Sequence, residues 1–153
     1  MKYFRIKVKN IGKTTVKNCR LKLIVVYPWN NSNPIISDPV VLKWSNAPLD
    51  SRYLIAENKP RHSASLIPKF KEGKDVTPSM GWELCDLFFI AKGENTINFI
   101  SNANENRHLL KNKEDYIFYI EVVADNMTSK TFAFKINNNK DWDKISLEKL
   151  KKD

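Results

Sequence analysis

Lysine and arginine at alternate positions, with no carboxylate among them, attract phosphate and carboxylate groups, and the start of this chain carries that pattern. Lys2, Arg5, Lys7, Lys9, Lys13, Lys17, Arg20 and Lys22 all precede the first acidic residue, Asp38. The formal net charge is +9, from 26 basic and 17 acidic residues, and nearly all of the excess lies in this first stretch. A row of cations draws polyanions with a strength that falls as salt rises. Tyr3 at the head of the row and Trp29 beside Pro28 are the rings that accompany it. Surfaces for single-stranded nucleic acid ordinarily offer more, because bases stack on aromatic side chains. An acidic protein surface needs no rings, so it is the favoured partner, and nucleic acid or another anionic surface is the alternative using the same residues. The plain reading is a solvated face, since edge lysines block strand-to-strand aggregation and net charge keeps a protein soluble.

Other chemistry-bearing residues are sparse. The two histidines, His62 and His108, have no carboxylate or thiol at ligand spacing, and metal sites need several such groups converging. Cys19 and Cys85 lie far apart with no CxxC, and both fall on apolar strand positions, where burial raises a thiol's pKa and suppresses its reactivity. Sequence leaves open whether they pair. No Gly-rich phosphate loop and no G-x-S-x-G elbow occurs. The carboxylate pairs Glu83/Asp86 and Glu114/Asp115 resemble the acid–base pair of a glycosidase only in type, and 17 carboxylates generate such pairs by chance. Asp125-Asn126 and Asp141/Asp143 supply oxygen ligands without a dense calcium loop, so turn and cap roles are expected for them. No catalytic residue, cofactor or metal is expected. What remains is a non-catalytic binding or interaction module, with Arg5, Lys7, Lys9, Lys13, Lys17, Arg20, Lys22, Tyr3 and Trp29 as its candidate surface. A third class, a carbohydrate-binding sandwich, would use Trp29, Trp44 or Trp82.

The elements that must position these residues are read from hydrophobic period. Residues 3–10 alternate with Phe4, Ile6 and Val8 on one side and Arg5, Lys7 and Lys9 on the other, as a half-buried strand does. After turn chemistry at residues 10–13, residues 17–27 form a second strand with Cys19, Leu21, Leu23, Val25 and Tyr27 inward. The short connection predicts antiparallel neighbours, which would set the two basic rows side by side; separate sheets are the alternative. Further strands are predicted at 40–45, weakly at 62–67, at 82–90, 96–100, 115–125 and 129–137, with 46–61 irregular, 69–81 a loop and 102–113 a polar tip. Residues 115–125 are apolar on both faces and belong at the centre of a sheet. Residues 141–152, with Asp141 as N-cap and Trp142, Ile145, Leu147 and Leu150 as the apolar set, predict a short helix ending in lysines. That helix is expected to pack on the sandwich or on a partner.

Seven to eight strands without βαβ alternation predict an all-β fold: an immunoglobulin-like antiparallel sandwich over residues 1–140, with a closed barrel as rival and a C-terminal helix over 141–153. No apolar run is long enough for a membrane-spanning helix, and the N-terminus alternates instead of forming a signal-peptide core. The stretch Val8-Lys9-Asn10-Ile11-Gly12-Lys13, followed by Val16-Lys17-Asn18-Cys19-Arg20-Leu21, resembles the opening of prokaryotic immunoglobulin-like domains of the CARDB-like adhesion type. Leu42-Lys43-Trp44-Ser45 and the turn at Ala124-Asp125-Asn126 are similar to the same scheme. The resemblance covers about half of the chain in pieces and implies a binding, adhesion or spacer module of an archaeal or bacterial protein, often displayed outside the cytoplasm. The basic first strands, the long 46–81 insertion and the C-terminal segment depart from it.

Overall fold

Period-two alternation sets one apolar row of each long strand against the opposite sheet. The computed structural model describes residues 2–47, 72–99, 108–110 and 114–151. Ten strands fall among them: β1 (Lys2–Val8), β2 (Val16–Pro28), β3 (Val40–Val41), β4 (Lys74–Val76), β5 (Glu83–Ile90), β6 (Thr96–Phe99), β7 (His108–Leu110), β8 (Tyr116–Ala124), β9 (Met127–Asn137) and β10 (Ser146–Lys149). They make two antiparallel sheets, β1-β5-β6-β7 and β10-β9-β8-β2-β3, with β4 also paired to β2. The chain is thus the all-β sandwich its alternation predicts. The strand count exceeds seven to eight through short segments that read as loop, tip and helix. The weak strand expected at 62–67 and His62 lie outside the described residues, as does most of the irregular stretch from 46 to 61.

The core follows the inward rows. Leu21, Leu23 and Val26 of β2, Cys85, Leu87, Phe88 and Ile90 of β5, and Phe118 and Ile120 of β8 are buried. Rings join the layers: Phe88 lies edge-on to Phe99, Phe99 to Phe118, and Phe118 stacks on Phe134 at 5.4 Å between centroids. β8, the most apolar strand, lies between β9 and β2 as its two-sided pattern predicts.

Three expectations are corrected. β1 and β2 are not neighbours: β1 pairs with β5, while β2 has β8 on one edge and β3 and β4 on the other. A strand has two edges, and both of β2's are occupied. The connection between β1 and β2 is instead an arch from one sheet to the other. Asn10 shapes it by accepting the Gly12 N–H and donating to the carbonyls of Thr14 and Val76, all within 2.9 Å.

Second, the inward row of β2 shifts midway. The register with β8 slips between Leu23 and Val25, so Val26 is fully buried opposite Phe118, while Val25 and Tyr27 stand opposite Tyr119 and Ile117 on the outer face. A bulge adds one residue and reverses the faces beyond it. Val25 and Tyr27 are therefore outward and Val26 inward.

Third, the C-terminal helix is absent. A 3₁₀ turn at Trp142–Lys144, capped by Asp141, leads into β10, which pairs with β9 through Leu147 opposite Ile136. The two-residue spacing of Ile145 and Leu147 is a strand period, and the free edge of β9 offers backbone partners that a helix would leave unmet.

Candidate functional site

The separation of β1 from β2 divides the candidate cations between the two outer faces. Arg5, Lys7 and Lys9 project from the first sheet, with Ile6 turned into the core, and Arg20 and Lys22 project from the second, with Leu21 and Leu23 turned in. The structure does not bring the two rows side by side.

Most of the β2 set has acidic company. Lys17 Nζ lies 3.5 Å from Asp75, and an Arg20 terminal nitrogen lies 3.7 Å from Asp125. Lys22 stands opposite Glu121 in the ladder. Lys13 is exposed on the arch. Trp29, 41% exposed, is covered by Lys135, whose Nζ sits 4.1 Å from the ring centre, so a cation already occupies its face. Tyr3 carries Arg5 over its ring at 5.2 Å and packs beside Phe89. Arg5 also donates through Nε to Asp86 at 2.8 Å. Asp86 is buried on the first sheet and accepts from Ser45 Oγ at 2.7 Å, with Lys43 Nζ at 3.7 Å.

Lys7 and Lys9 differ. They flank an open groove of about 1020 Å³ between β1 and the inner face of β8, β9 and β10. Its floor includes Ile6, Val8, Val122, Phe132, Phe134 and Leu147. Val8, Val122, Phe132 and Leu147 are only partly buried, so the inner face of the second sheet continues past the edge of the first. Exposed Trp82, just before β5, and Ile11, on the arch, stand at one end. Among the described residues lining the groove, Arg5, Lys7, Lys9, Lys130 and Lys149 are basic and none is acidic. Lys9 Nζ lies 5.7 Å from the Trp82 ring centre and Lys149 Nζ 4.9 Å from that of Phe132.

Lys130, Lys149 and the apolar floor were missed as site residues in the sequence reading, and their signal is phase. Lys130 shares the parity of Phe132, Phe134 and Ile136, and Lys149 that of Ile145 and Leu147, so both lysines occupy the inward side of their strands. An inward lysine marks a strand whose inner face reaches water.

The remaining reactive groups are occupied structurally. Cys19 and Cys85 are buried free thiols. Burial raises Cys19 to about 11, opposed by the charge of Arg20, and pushes Cys85 higher still, with Asp86 adding to the rise. Burial thus disfavours the thiolate of both. Burial, with Glu114 adding to it, also raises Tyr116. Glu83 pairs with Lys74 at 2.7 Å, and Asp115 accepts the Asn138 N–H at 2.8 Å. Asn126 accepts the Lys17 N–H and donates to Thr15 O, tying the β8–β9 turn to the start of β2. Among the described residues no three His, Cys, Asp or Glu side chains converge, and no helix is long and apolar enough to cross a membrane. His108 lies in β7. Of the three tryptophans considered for carbohydrate, Trp44 is buried and donates Nε1–H to Cys19 O, so it is not a stacking surface. No family model, curated protein or solved structure matches this chain.

Proposed function

We propose that this protein is a non-catalytic binding module that takes an acidic protein partner at the groove between β1 and the β8–β9–β10 face. The observation that carries this reading is the composition of the groove wall: four lysines with no carboxylate lining the groove beside them, Arg5 already paired with Asp86, and an apolar floor between them. Cations on the outer face of β2 have carboxylates nearby, whereas Lys7, Lys9, Lys130 and Lys149 surround surface that is apolar. Such a surface gains from burying apolar groups and from pairing charge, and both favour a protein segment over a glycan. The CARDB-like opening of the sequence implies the same broad role, a binding or spacer sandwich.

The exposed ring of Trp82 beside Lys9 supports nucleic acid as the second reading, because a ring next to a cation is the unit of a stacking platform. Fluorescence anisotropy separates the two. A labelled poly-glutamate peptide is expected to bind at about 50 mM salt and to weaken about tenfold or more by about 300 mM, as screening predicts. Lys7→Glu with Lys130→Glu is expected to abolish that binding. Stronger retention of a random single-stranded oligonucleotide than of the acidic peptide would overturn the protein reading in favour of nucleic acid.

A further inference from the structure

The groove borders a strand edge, and this fixes the form of what enters it. β1 is the terminal strand of its sheet: β5 occupies one side, and among the described residues no strand pairs with the other. Alternate residues of β1 therefore direct their N–H and C=O groups sideways over the groove. Lys2 spans the far end, donating to the carbonyls of Asp143 at 2.9 Å and Ile145 at 3.3 Å, and beyond it β1 and β10 part around the apolar floor.

We infer that an extended, alternately acidic and apolar segment of another protein adds to β1 as a further strand, deepening the reading of an acidic partner on which this inference rests. Period-two geometry supplies the pattern. A strand laid beside β1 sends every second side chain inward, past Ile6 and Val8, towards Val122, Phe132 and Leu147. Its other side chains lie on the outer face beside Arg5, Lys7 and Lys9, where cross-strand neighbours of opposite charge attract. Inner positions are thus apolar and outer ones acidic. From Arg5 to Lys9 the edge accommodates about five residues at about 3.3 Å each. The lysines of β1 do not obstruct this addition, because strand side chains stand perpendicular to the sheet and leave its edge clear. They reject a basic strand, a second copy of β1 included, and accept an acidic one.

Backbone pairing is the part of this inference that simple charge attraction does not share. Three peptides of about ten residues, a length that covers the edge, test it: one alternating Glu and Val, one with the same residues in two blocks, and one alternating but N-methylated at every second residue. The alternating peptide is expected to bind at least about tenfold more tightly than either of the others. It is also expected to slow amide hydrogen exchange in residues 5–9, in β1 and just past its end, while leaving β7 unchanged. Val122→Ala, which opens the floor without removing a cation, is expected to weaken the alternating peptide and leave the block peptide unaffected. Equal binding of all three peptides, with β1 amides unprotected, would overturn strand addition and leave the acidic-partner reading standing. Failure of all three to bind at low salt would overturn both.

Discussion

The two long edges of this sandwich are built from the same alternating strands and end in opposite conditions. At one edge the chain itself crosses between the sheets. Leu42 N–H donates to Leu21 O at 2.8 Å in the second sheet, and two residues later Trp44 bridges to Cys85 in the first. Asp86 N–H donates to Lys43 O at 2.8 Å and Ser45 N–H to Leu84 O at 2.9 Å, so the crossing segment is hydrogen-bonded to both layers. Trp44 and Leu42 are 1% and 0% exposed there, which marks a finished core. At the other edge β1 and β10 face each other, tied at one end through Lys2, with Phe132 and Leu147 still half-covered beyond. Binary patterning makes an inner face, and a crossing segment decides whether that face is sealed. The sealed edge is fully buried at Leu42 and Trp44; the unsealed one has apolar area left to bury.

The largest expected effect follows from removing the plug of the sealed edge. Trp44→Ala deletes a buried ring and leaves Cys19 O without its indole donor, and is expected to cost about 3–5 kcal/mol in urea unfolding. Phe132→Ala at the open edge, where the ring is only partly buried, is expected to cost about 1–2 kcal/mol. Comparable losses at the two positions would erase the distinction between the edges.

A smaller effect is carried by pH, again at the sealed edge. An unfolded thiol titrates near 9.0, and Cys19 in the folded chain near 11. Between these values the unfolded chain has released a proton that the folded chain retains, so alkali favours unfolding. The stabilisation is complete below about pH 9 and falls by about 1.4 kcal/mol per pH unit until about pH 11. Cys85 shifts in the same direction. Urea midpoints measured from pH 8 to 10.5 are expected to fall more steeply in the wild type than in Cys19→Ala. Parallel slopes would show that Cys19 is not the titrating group.

The sequence made legible what depends on period and hid what depends on edges. Alternation located the inner rows of β1, β8, β9 and the first half of β2, Cys19 among them. The two apolar faces of residues 115–125 gave β8 its central place, and the apolar run of residues 82–90 held the buried Cys85. The asparagines at 10 and 126 read as turn residues; Asn10 bonds the backbone of its own turn at Gly12 and Thr14, whereas Asn126 uses its side chain to reach the distant backbone of Lys17 and Thr15. Register breaks were not legible: the bulge near Ile24 turned Val25 and Tyr27 outward, and nothing in an unbroken run of β-branched residues announces an extra residue. Asn18, at φ 52°, is one place where the scarcity of glycine shows, and it packs so tightly against Gly73 that a Cβ there would collide with its side chain. The site was half legible. Arg5, Lys7 and Lys9 were found as a row, yet joining them to Arg20 and Lys22 assumed a pairing that β8 and β3 had already taken from β2. Lys130 and Lys149 escaped because a lysine is ordinarily assigned to solvent, and here each lies in phase with apolar neighbours on the inward side.

The smallest effect in folding energy is expected at one of those inward lysines, and it separates stability from association. Lys130 is exposed at the mouth of the groove and opposite Val122 in the ladder. Lys130→Leu removes a charge that bears little of the fold, so unfolding should move by less than about 0.5 kcal/mol. The same change removes a guard. An inward charge keeps an open sheet edge from accepting another copy, and an apolar residue there would extend the floor formed by Phe132 and Leu147. Light scattering over a concentration series is expected to show self-association of Lys130→Leu and a monomeric wild type. The sealed edge offers no position where such a change could act, because Trp44 already fills it. A variant that stays monomeric at all concentrations would mean that β1 is protected by Lys7 and Lys9 alone, and the open edge would then be guarded from its outer face.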